Sequence, residues 1–174
     1  MLDKMLTVIT ANRGKLREIE AFLGPVESRE IDLPELQSTS GEEVALYKLT
    51  AALAHHSGPI LVEDTGLTFE GMGSLPGPLI KWFVQNLDLA KLACLAQSFG
   101  SGRARAQTWL VVGKSIAVPS ESAAQTPPFE YIAVSGITDG TIVAPRGSLG
   151  FGWDAIFQPD GSEKTFAEMT LDEK

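Results

Sequence analysis

The sequence has little of what several classes of protein require. Its single cysteine, Cys94, excludes a disulfide within the chain, and this usage fits a reducing compartment such as the cytoplasm. No apolar run approaches the ~18–20 residues that a membrane-spanning helix needs. The first residues also lack the basic and apolar regions of a secretory signal peptide. We therefore expect a cytoplasmic protein with no membrane partner.

Basic residues are scarce relative to acidic ones. The 174 residues include 14 Lys and Arg against 22 Asp and Glu, which gives a net charge of −8. A nucleic-acid partner is disfavoured, because such partners favour a basic surface. One cysteine and the adjacent His55 and His56 are too few for a zinc site. A small anionic ligand stays open, since bound Mg²⁺ and a few lysines can dominate one cleft.

What the sequence does contain is the composition of a globular chain, with 44% hydrophobic and 21% charged residues. Neither an internal repeat nor a linker is evident, so residues 1–174 are expected to form one domain. Strand-like and helix-like segments alternate. The predicted strands cover residues 6–10, 26–31, 60–62, 104–118, 129–134 and a short piece before 143 that follows a turn at Asp139-Gly140. The predicted helices cover residues 16–23, about 42–56, a stretch from 79, and one or two helices within 87–99; residues 119–128 are expected to form a hairpin tip.

The most informative stretch is residues 60–83. Its opening apolar run predicts a short buried strand that ends at two adjacent carboxylates, Glu63 and Asp64. Because side chains alternate along a strand, we expect these two to point to opposite faces. A carboxylate placed in this way can hold a metal ion or orient a water molecule. The alternative interpretation is a simple acidic turn.

A Gly- and Pro-rich segment, residues 71–78, follows the carboxylates and predicts a loop. Pro78 suits the first turn of a helix, where its missing N–H is no loss. That helix carries Lys81 in apolar surroundings, and such a lysine can neutralise phosphate. The alternative is the start of a core helix with no chemical role.

A polar turn between the first strand and the first helix is the second candidate site. Strand, turn and helix can direct backbone N–H groups at a phosphate, with Asn12 as a hydrogen-bond donor and Lys15 as a charge. The P-loop pattern GxxxxGK[ST] is absent. The alternative is that Asn12 only caps the helix and that Lys15 is solvated.

The third candidate site is the glycine-rich segment 144–154. Its glycines allow close approach of the backbone to a ligand, and aromatic side chains among them can stack on a base. Asp154 can accept a hydrogen bond from a protonated purine ring nitrogen, which favours 6-oxo over 6-amino purines. The alternative is a glycine-rich turn with core aromatics.

Together the three segments resemble the inosine triphosphate pyrophosphatase family. The matching motifs are Thr-x-Asn-x-x-Lys at residues 10–15, Glu-Asp-Thr-Gly-Leu at 63–67 with Leu-Pro-Gly-Pro-Leu-Ile-Lys-Trp-Phe at 75–83, and Phe-Gly-Trp-Asp at 151–154. The resemblance implies an α/β fold with a long twisted mixed sheet flanked by helices, in two lobes around a nucleotide cleft. It also implies a homodimer that hydrolyses non-standard purine nucleoside triphosphates (ITP, dITP, XTP) to the monophosphate and pyrophosphate, with Mg²⁺ or Mn²⁺.

The resemblance further implies roles for individual residues. Asp64 is expected to be catalytic and to hold the metal with Glu35 and Glu63. The expected substrate-binding residues are Thr10, Asn12, Lys15, Lys48, Lys81, Phe151, Trp153, Asp154 and Lys174. Without the resemblance, Glu35 reads as a solvated turn residue and Lys48 as the flank of a helix stripe. Ala11 replaces a glycine of the family, a small change unless the turn requires a positive φ.

Family members continue beyond the lysine matched by Lys174 with a Ser-His-Arg triplet on a helix, which this sequence does not contain. We expect a truncated chain or a variant with weakened selectivity. Two other functions stay open: a catalytically silent nucleotide-binding or interaction protein, and a related house-cleaning pyrophosphatase for modified pyrimidines or other nucleotides. A Nudix hydrolase and a Rossmann dehydrogenase are disfavoured, because their REx₂EE-type and GxGxxG motifs are absent.

Overall fold

The structure, a computed structural model, describes residues 6–31, 33–116 and 128–174. The strands are β1 (Thr7–Ile9), β2 (Glu27–Arg29), β3 (Ile60–Phe69), β4 (Pro76–Gly77), β5 (Arg103–Ser115), β6 (Phe129–Ile142) and β7 (Phe157–Pro159), and the α-helices are α1 (Arg13–Leu23), α2 (Gly41–Leu53), α3 (Ile80–Asn86) and α4 (Leu89–Ser98). Short 3₁₀ turns cover Glu70–Met72, Asp154–Ile156 and Phe166–Glu168. The predicted hairpin tip lies almost wholly outside the described residues.

The strands form one mixed sheet in the order β2-β1-β3-β5-β6-β7, with β4 paired to β3. Strand β1 runs parallel to both β2 and β3, whereas β4 is antiparallel to β3 and β7 is antiparallel to β6. Parallel neighbours need crossover connections, and α1 and α2 supply them. The predicted α/β class with a mixed sheet is confirmed.

Local signals explain where α1 begins and ends. The side chain of Asn12 accepts hydrogen bonds from the backbone N–H groups of Gly14 and Lys15, so it is the N-cap. At the other end Gly24 adopts a φ of 76°, which a glycine reaches at no steric cost, and its N–H donates to the carbonyl of Glu20. The end at Gly24 follows the prediction, whereas the start at Arg13 lies three residues before the predicted one and matches the alternative in which Asn12 caps the helix.

Two predicted strand breaks are wrong. Strand β3 does not end at Glu63 and Asp64 but continues through them to Phe69. Strand β6 also continues through the expected turn at Asp139 and Gly140. In the second case the glycine serves sheet pairing, since a Cβ on Gly140 would collide with the backbone oxygen of Gln158 on β7. In both strands a glycine allows the backbone of a neighbouring strand to approach closely: Gly66 in β3 faces β4, and Gly140 in β6 faces β7.

The chain divides into two compact units. The first comprises Met1–Leu36, Glu42–Asp64 and Trp109–Ser135, and the second comprises Gln37–Gly41, Thr65–Thr108 and Gly136–Lys174. Two apolar clusters lie in the first unit, and one larger cluster around Phe69, Leu92 and Phe157 lies in the second. The division agrees with the two lobes that the resemblance implies.

Strand β3 contacts the two helices of the first unit through opposite faces. Ile60 and Val62 join the cluster formed by Ala45 and Leu49 of α2. Leu61, between them, instead joins the cluster that contains Ile19 of α1. This alternation continues at the next two residues and positions the carboxylates described below.

One buried hydroxyl in this unit has no partner. Thr7 is fully buried on β1, and its Oγ1 makes no hydrogen bond with any residue that the structure describes. A buried polar group without a partner costs about 1–3 kcal/mol. Replacing it with the isosteric valine (Thr7→Val) is therefore expected to raise the free energy of unfolding by on the order of 1 kcal/mol.

Thr165 provides the matched control for this prediction. It is equally buried, but its hydroxyl donates to the carbonyl of Arg146 at 3.0 Å. Thr165→Val is therefore expected to lower the free energy of unfolding by about 1–2 kcal/mol. Urea denaturation of both variants checks the pair, and a destabilised Thr7→Val protein would contradict the assignment of an unsatisfied hydroxyl.

No helix among the residues that the structure describes is both long and apolar enough to span a bilayer.

Candidate functional site

The N-terminus of α1 presents the first group of predicted site residues. The backbone N–H of Asn12 donates to Thr10 Oγ1 at 3.1 Å, and Asn12 Oδ1 in turn accepts from Gly14 at 2.9 Å and Lys15 at 3.2 Å. Asn12 therefore caps α1, which is the alternative role that the sequence left open for it. No described residue other than glycine has a positive φ, so Ala11 fits this turn without strain.

Two ion pairs join β3 to the helices on either side of it. Lys15 Nζ of α1 lies 2.6 Å from Glu63 Oε2, and Lys48 Nζ of α2 lies 2.6 Å from Asp64 Oδ1. Lys48 also donates to the backbone carbonyl of Glu63 at 3.3 Å. The expected alternation of the two carboxylates is confirmed, since each one pairs with the helix on its own face of the strand. We call these four residues the lysine–carboxylate cluster.

Burial strengthens the electrostatic interactions between the charged groups of this cluster. The side chains of Glu63 and Asp64 are only 7% and 9% exposed. Burial raises the pKa of Asp64 above its ordinary value, although the ammonium groups of Lys48 and Lys15 oppose the shift. Burial acts to lower the pKa of Lys15, but Glu63 more than offsets it, and the pKa lies above its ordinary value. Asp64 is thus a more basic carboxylate than an exposed aspartate.

The cluster offers a position for a cation. Asp64 Oδ2 is buried and makes no hydrogen bond within the described part of the chain. A carboxylate oxygen of this kind suits a hard divalent ion such as Mg²⁺, which proteins commonly hold through one or two carboxylates together with substrate phosphates. Asp64 therefore fits the implied metal, whereas the Glu63 carboxylate lies on the other face of β3 and pairs with Lys15.

Glu35 does not join these carboxylates in a closed metal site. It lies exposed in the segment between β2 and α2. Across residues 6–31, 33–116 and 128–174, no three His, Cys, Asp or Glu side chains converge as a metal site would require. A role for Glu35 toward a metal stays a prediction.

A second group of predicted residues lies in the second unit. Asp154 is 3% exposed, and its Oδ2 accepts from the backbone N–H of Phe151 at 3.0 Å and from Lys174 Nζ at 2.8 Å. The ammonium of Lys174 also stands 5.2 Å above the ring of Phe151. Gly150, at φ 93°, leaves room for the carboxylate, because a Cβ there would collide with Asp154 Oδ2. Asp154 thus orders the loop that carries Phe151.

Trp153 belongs to an aromatic cluster. Its ring centroid lies 5.5 Å from that of Phe157 in an edge-on arrangement and 6.2 Å from that of Phe166. This is packing against the core of the second unit. A role for Trp153 or Phe151 in stacking on a base stays a prediction.

Lys81 lies in the first turn of α3, also in the second unit. Its Nζ is 5.3 Å from the ring centroid of Trp82, and the indole N–H of Trp82 donates to Gln37 Oε1 at 2.8 Å. The helix begins at Ile80, two residues later than Pro78, because Pro76–Gly77 pairs with β3 as β4. Lys81 is thus held at a helix start, as predicted, but outside the lysine–carboxylate cluster.

Comparison with known proteins decides the family. The profile of the Ham1 family matches residues 6–174. This chain belongs to the Ham1 family. The family resemblance deduced from the three motifs is therefore confirmed, since curated relatives of this Ham1 chain are named inosine triphosphate pyrophosphatases.

The relatives cover almost all of the Ham1 chain. Inosine triphosphate pyrophosphatase 1 of Trypanosoma cruzi (strain CL Brener) is 40% identical over 97% of this chain and 83% of its own. Inosine triphosphate pyrophosphatase of Schizosaccharomyces pombe (strain 972 / ATCC 24843) is 39% identical over 95% and 84%. Among solved structures, the nucleoside-triphosphatase / dITP/XTP pyrophosphatase of Mycobacterium abscessus (ATCC 19977 / DSM 44196) superposes with a TM-score of 0.67 at 27% identity, covering 97% of this chain and 90% of that one.

Two residues of this Ham1 chain escaped the sequence analysis. Thr108 of β5 shares a hydrogen bond of 2.8 Å with the hydroxyl of Thr65, the residue after Asp64. Phe166 lies 4.8 Å below the ammonium of Lys174. Thr108 directly precedes the apolar run of residues 109–112, and its hydroxyl was the one available signal. Phe166 looked like any core aromatic.

Proposed function

We propose that this Ham1 chain hydrolyses non-standard purine nucleoside triphosphates, such as ITP, dITP and XTP, to the monophosphate and pyrophosphate. The observation that carries the proposal is the lysine–carboxylate cluster, in which a buried, basic Asp64 keeps one oxygen without a partner among the residues that the structure describes. Basic side chains and a poised carboxylate are the groups that attack of water on a phosphoryl centre requires.

The proposal includes a divalent metal, Mg²⁺ or Mn²⁺, held by Asp64, while Glu63 on the other face of β3 pairs with Lys15. Asp64 Oδ2 offers a carboxylate oxygen with no other partner in the described residues. When bound, such an ion polarises phosphoryl oxygens and offsets their charge. Exposed Glu35 is at most a supporting ligand.

The protein side chains supply the remaining chemistry. Asp64 orients the attacking water and accepts its proton. The water oxygen forms a bond to phosphorus as the link between the α- and β-phosphates breaks. Lys15 and Lys48 balance the charge that develops on the phosphate oxygens and on the departing pyrophosphate. The backbone N–H groups at the start of α1, near Asn12, add further donors.

The direct test is product analysis by chromatography. Purified chain with Mg²⁺ is expected to convert ITP to inosine monophosphate and pyrophosphate while ATP and GTP stay nearly intact. Cleavage of all three nucleotides would support the proposed hydrolysis but contradict the proposed selectivity for non-standard purines. Binding of ITP without any product would instead support a silent nucleotide-binding protein, and preferential cleavage of a modified pyrimidine triphosphate would support the related pyrophosphatase.

Base selectivity is proposed to depend on the loop that Asp154 orders. Removing its charge in Asp154→Asn weakens the contact with Lys174 and loosens the loop that carries Phe151. We expect the ratio of kcat/KM for ITP to that for ATP to fall roughly tenfold or more, because a site built for a polar edge discriminates only while its partners are held in place. Asp160→Asn, which changes an exposed carboxylate of the same unit, is the control. An unchanged ratio in Asp154→Asn would show that this loop does not set selectivity.

The proposal also covers a cytoplasmic homodimer. A second copy carries the same net charge of −8, so an interface between copies needs a surface on which charges balance. On one face of β5 and β6 in the first unit, Lys114 and Glu130 pair at 3.0 Å beside the exposed aliphatic side chains of Ile132 and Val134. This face is both apolar and locally neutral.

Sedimentation or light scattering tests the dimer. Wild-type chain is expected to have the mass of two copies, and Ile132→Glu is expected to shift it to one copy, because a charge would be buried at the interface. Phe22→Glu provides the control, since Phe22 is an equally exposed apolar residue of the same unit on α1. A monomeric wild type would exclude the dimer. Dissociation caused only by Phe22→Glu would place the interface on α1.

A further inference from the structure

The charges of the lysine–carboxylate cluster balance. Lys15 and Lys48 contribute two positive charges, and Glu63 and Asp64 contribute two negative ones. They form two ion pairs, each with a nitrogen–oxygen distance of 2.6 Å. Both lysine side chains are 21% exposed, and the carboxylates are more buried still. A divalent ion entering alone would leave two uncompensated positive charges in a poorly solvated site, which is costly.

Lys48 bears most directly on metal binding. Its ammonium contacts Asp64 Oδ1 at 2.6 Å and the backbone carbonyl of Glu63 at 3.3 Å. The remaining oxygen, Asp64 Oδ2, belongs to the same carboxylate. A cation bound at Oδ2 therefore lies close to the Lys48 charge and is repelled by it.

A triphosphate changes this balance. It carries several negative charges, and lysine ammonium groups pair readily with phosphate oxygens. Once phosphates lie beside Lys15 and Lys48, the Asp64 carboxylate regains its capacity to stabilise a divalent ion. The phosphates then balance the charges of the two lysines and of the metal ion, and the metal ion balances the charge of Asp64.

We propose that Lys48 holds down the affinity of Asp64 for a divalent ion until a triphosphate is present, so that metal and nucleotide bind as a pair. This inference rests on the proposed function. It assigns Lys48 a role toward the metal in addition to its role toward phosphate. By reciprocity, the metal then raises the affinity for the phosphates by the same factor.

The test is binding of Mn²⁺ alone, measured by calorimetry and by electron paramagnetic resonance, with no nucleotide present. Lys48→Met is expected to bind Mn²⁺ more tightly than wild type by roughly 5–150-fold, the usual range of such couplings. Lys48→Gln loses the charge but keeps a hydrogen-bond donor for Asp64, and it should show the same gain in Mn²⁺ affinity. It therefore tests the inference even where the apolar side chain of Lys48→Met disturbs folding. Lys114→Met removes an exposed lysine of the same unit and should leave Mn²⁺ affinity unchanged.

Two further arms locate the effect. Asp64→Asn combined with Lys48→Gln is expected to abolish the gain, which places the metal at Asp64. Inorganic pyrophosphate is expected to increase Mn²⁺ affinity in wild type by a larger factor than in either Lys48 variant. Folded Lys48 variants that bind Mn²⁺ no more tightly than wild type would overturn the inference, even if wild type hydrolyses ITP. Tighter Mn²⁺ binding in a chain that hydrolyses no nucleotide would retain this role of Lys48 and overturn the proposed function.

Discussion

Replacing Asp64 with asparagine is expected to lower kcat for ITP hydrolysis by about 10²–10⁴-fold, the usual contribution of a general base. Asparagine is nearly isosteric and can still accept from Lys48, but it cannot take up a proton, and it binds a divalent ion poorly. The substituted side chain also no longer neutralises the Lys48 ammonium. Nucleotide affinity is expected to persist, because Lys15 and Lys48 remain available for phosphate. Steady-state kinetics and equilibrium binding of ITP measure the two quantities separately.

Asp88→Asn is the matched control. Asp88 is an exposed N-cap of α4 that accepts from the backbone N–H of Lys91, and asparagine caps a helix about as well as aspartate. The control makes the same chemical change and should keep wild-type turnover. If Asp64→Asn retained wild-type kcat, the general base would have to be a different residue.

Replacing Gly66 with alanine is expected to cause a large loss of stability. A Cβ on Gly66 would lie 2.8 Å from the carbonyl carbon of Gly77 and 2.9 Å from the nitrogen of Pro78. Both atoms are backbone, so no side chain can turn aside, and β3 and β4 would have to separate. Overpacking of this kind costs typically 1–3 kcal/mol, occasionally more. We expect a fall in the melting temperature of roughly 3–10 °C, at about 2–4 °C per kcal/mol for a chain of this size.

Gly136 of β6 offers the comparison. An added Cβ there meets nothing within 4 Å, and its φ does not require glycine. Gly136→Ala should therefore leave the melting temperature within about 1–2 °C of wild type, or raise it slightly through the smaller entropy of the unfolded chain. Calorimetry on both variants decides the matter. Equal stability of the two would mean that β4 can move away from β3 without loss.

Much of the lysine–carboxylate cluster could be predicted from the sequence. A β-branched apolar run identified the inner part of β3, and the period of two placed Glu63 and Asp64 on opposite faces. The helical period placed Lys48 at the edge of the apolar stripe of α2. The family motifs then selected these residues from the many other charged residues of the chain.

What escaped prediction depends on contacts between distant segments. The sequence Glu-Asp-Thr-Gly has the composition of a turn, yet it lies inside a strand because Gly66 admits the backbone of β4. The inward use of Asp154 was also hidden, since nothing local shows that its carboxylate accepts from Phe151 and Lys174. The packing of Trp153 beside Phe157 was likewise not visible from the local sequence. Propensity describes neighbours in sequence, whereas these outcomes depend on neighbours in space.

The alternation of β3 between two helices has an evolutionary consequence. Gain or loss of a single residue after Val62 would turn Glu63 toward α2 and Asp64 toward α1, and it would exchange the lysine that each carboxylate meets. No single substitution could restore the original pairing. Insertions and deletions should therefore be purged from this part of the strand in descendants of the same gene, even where individual amino acids are replaced freely.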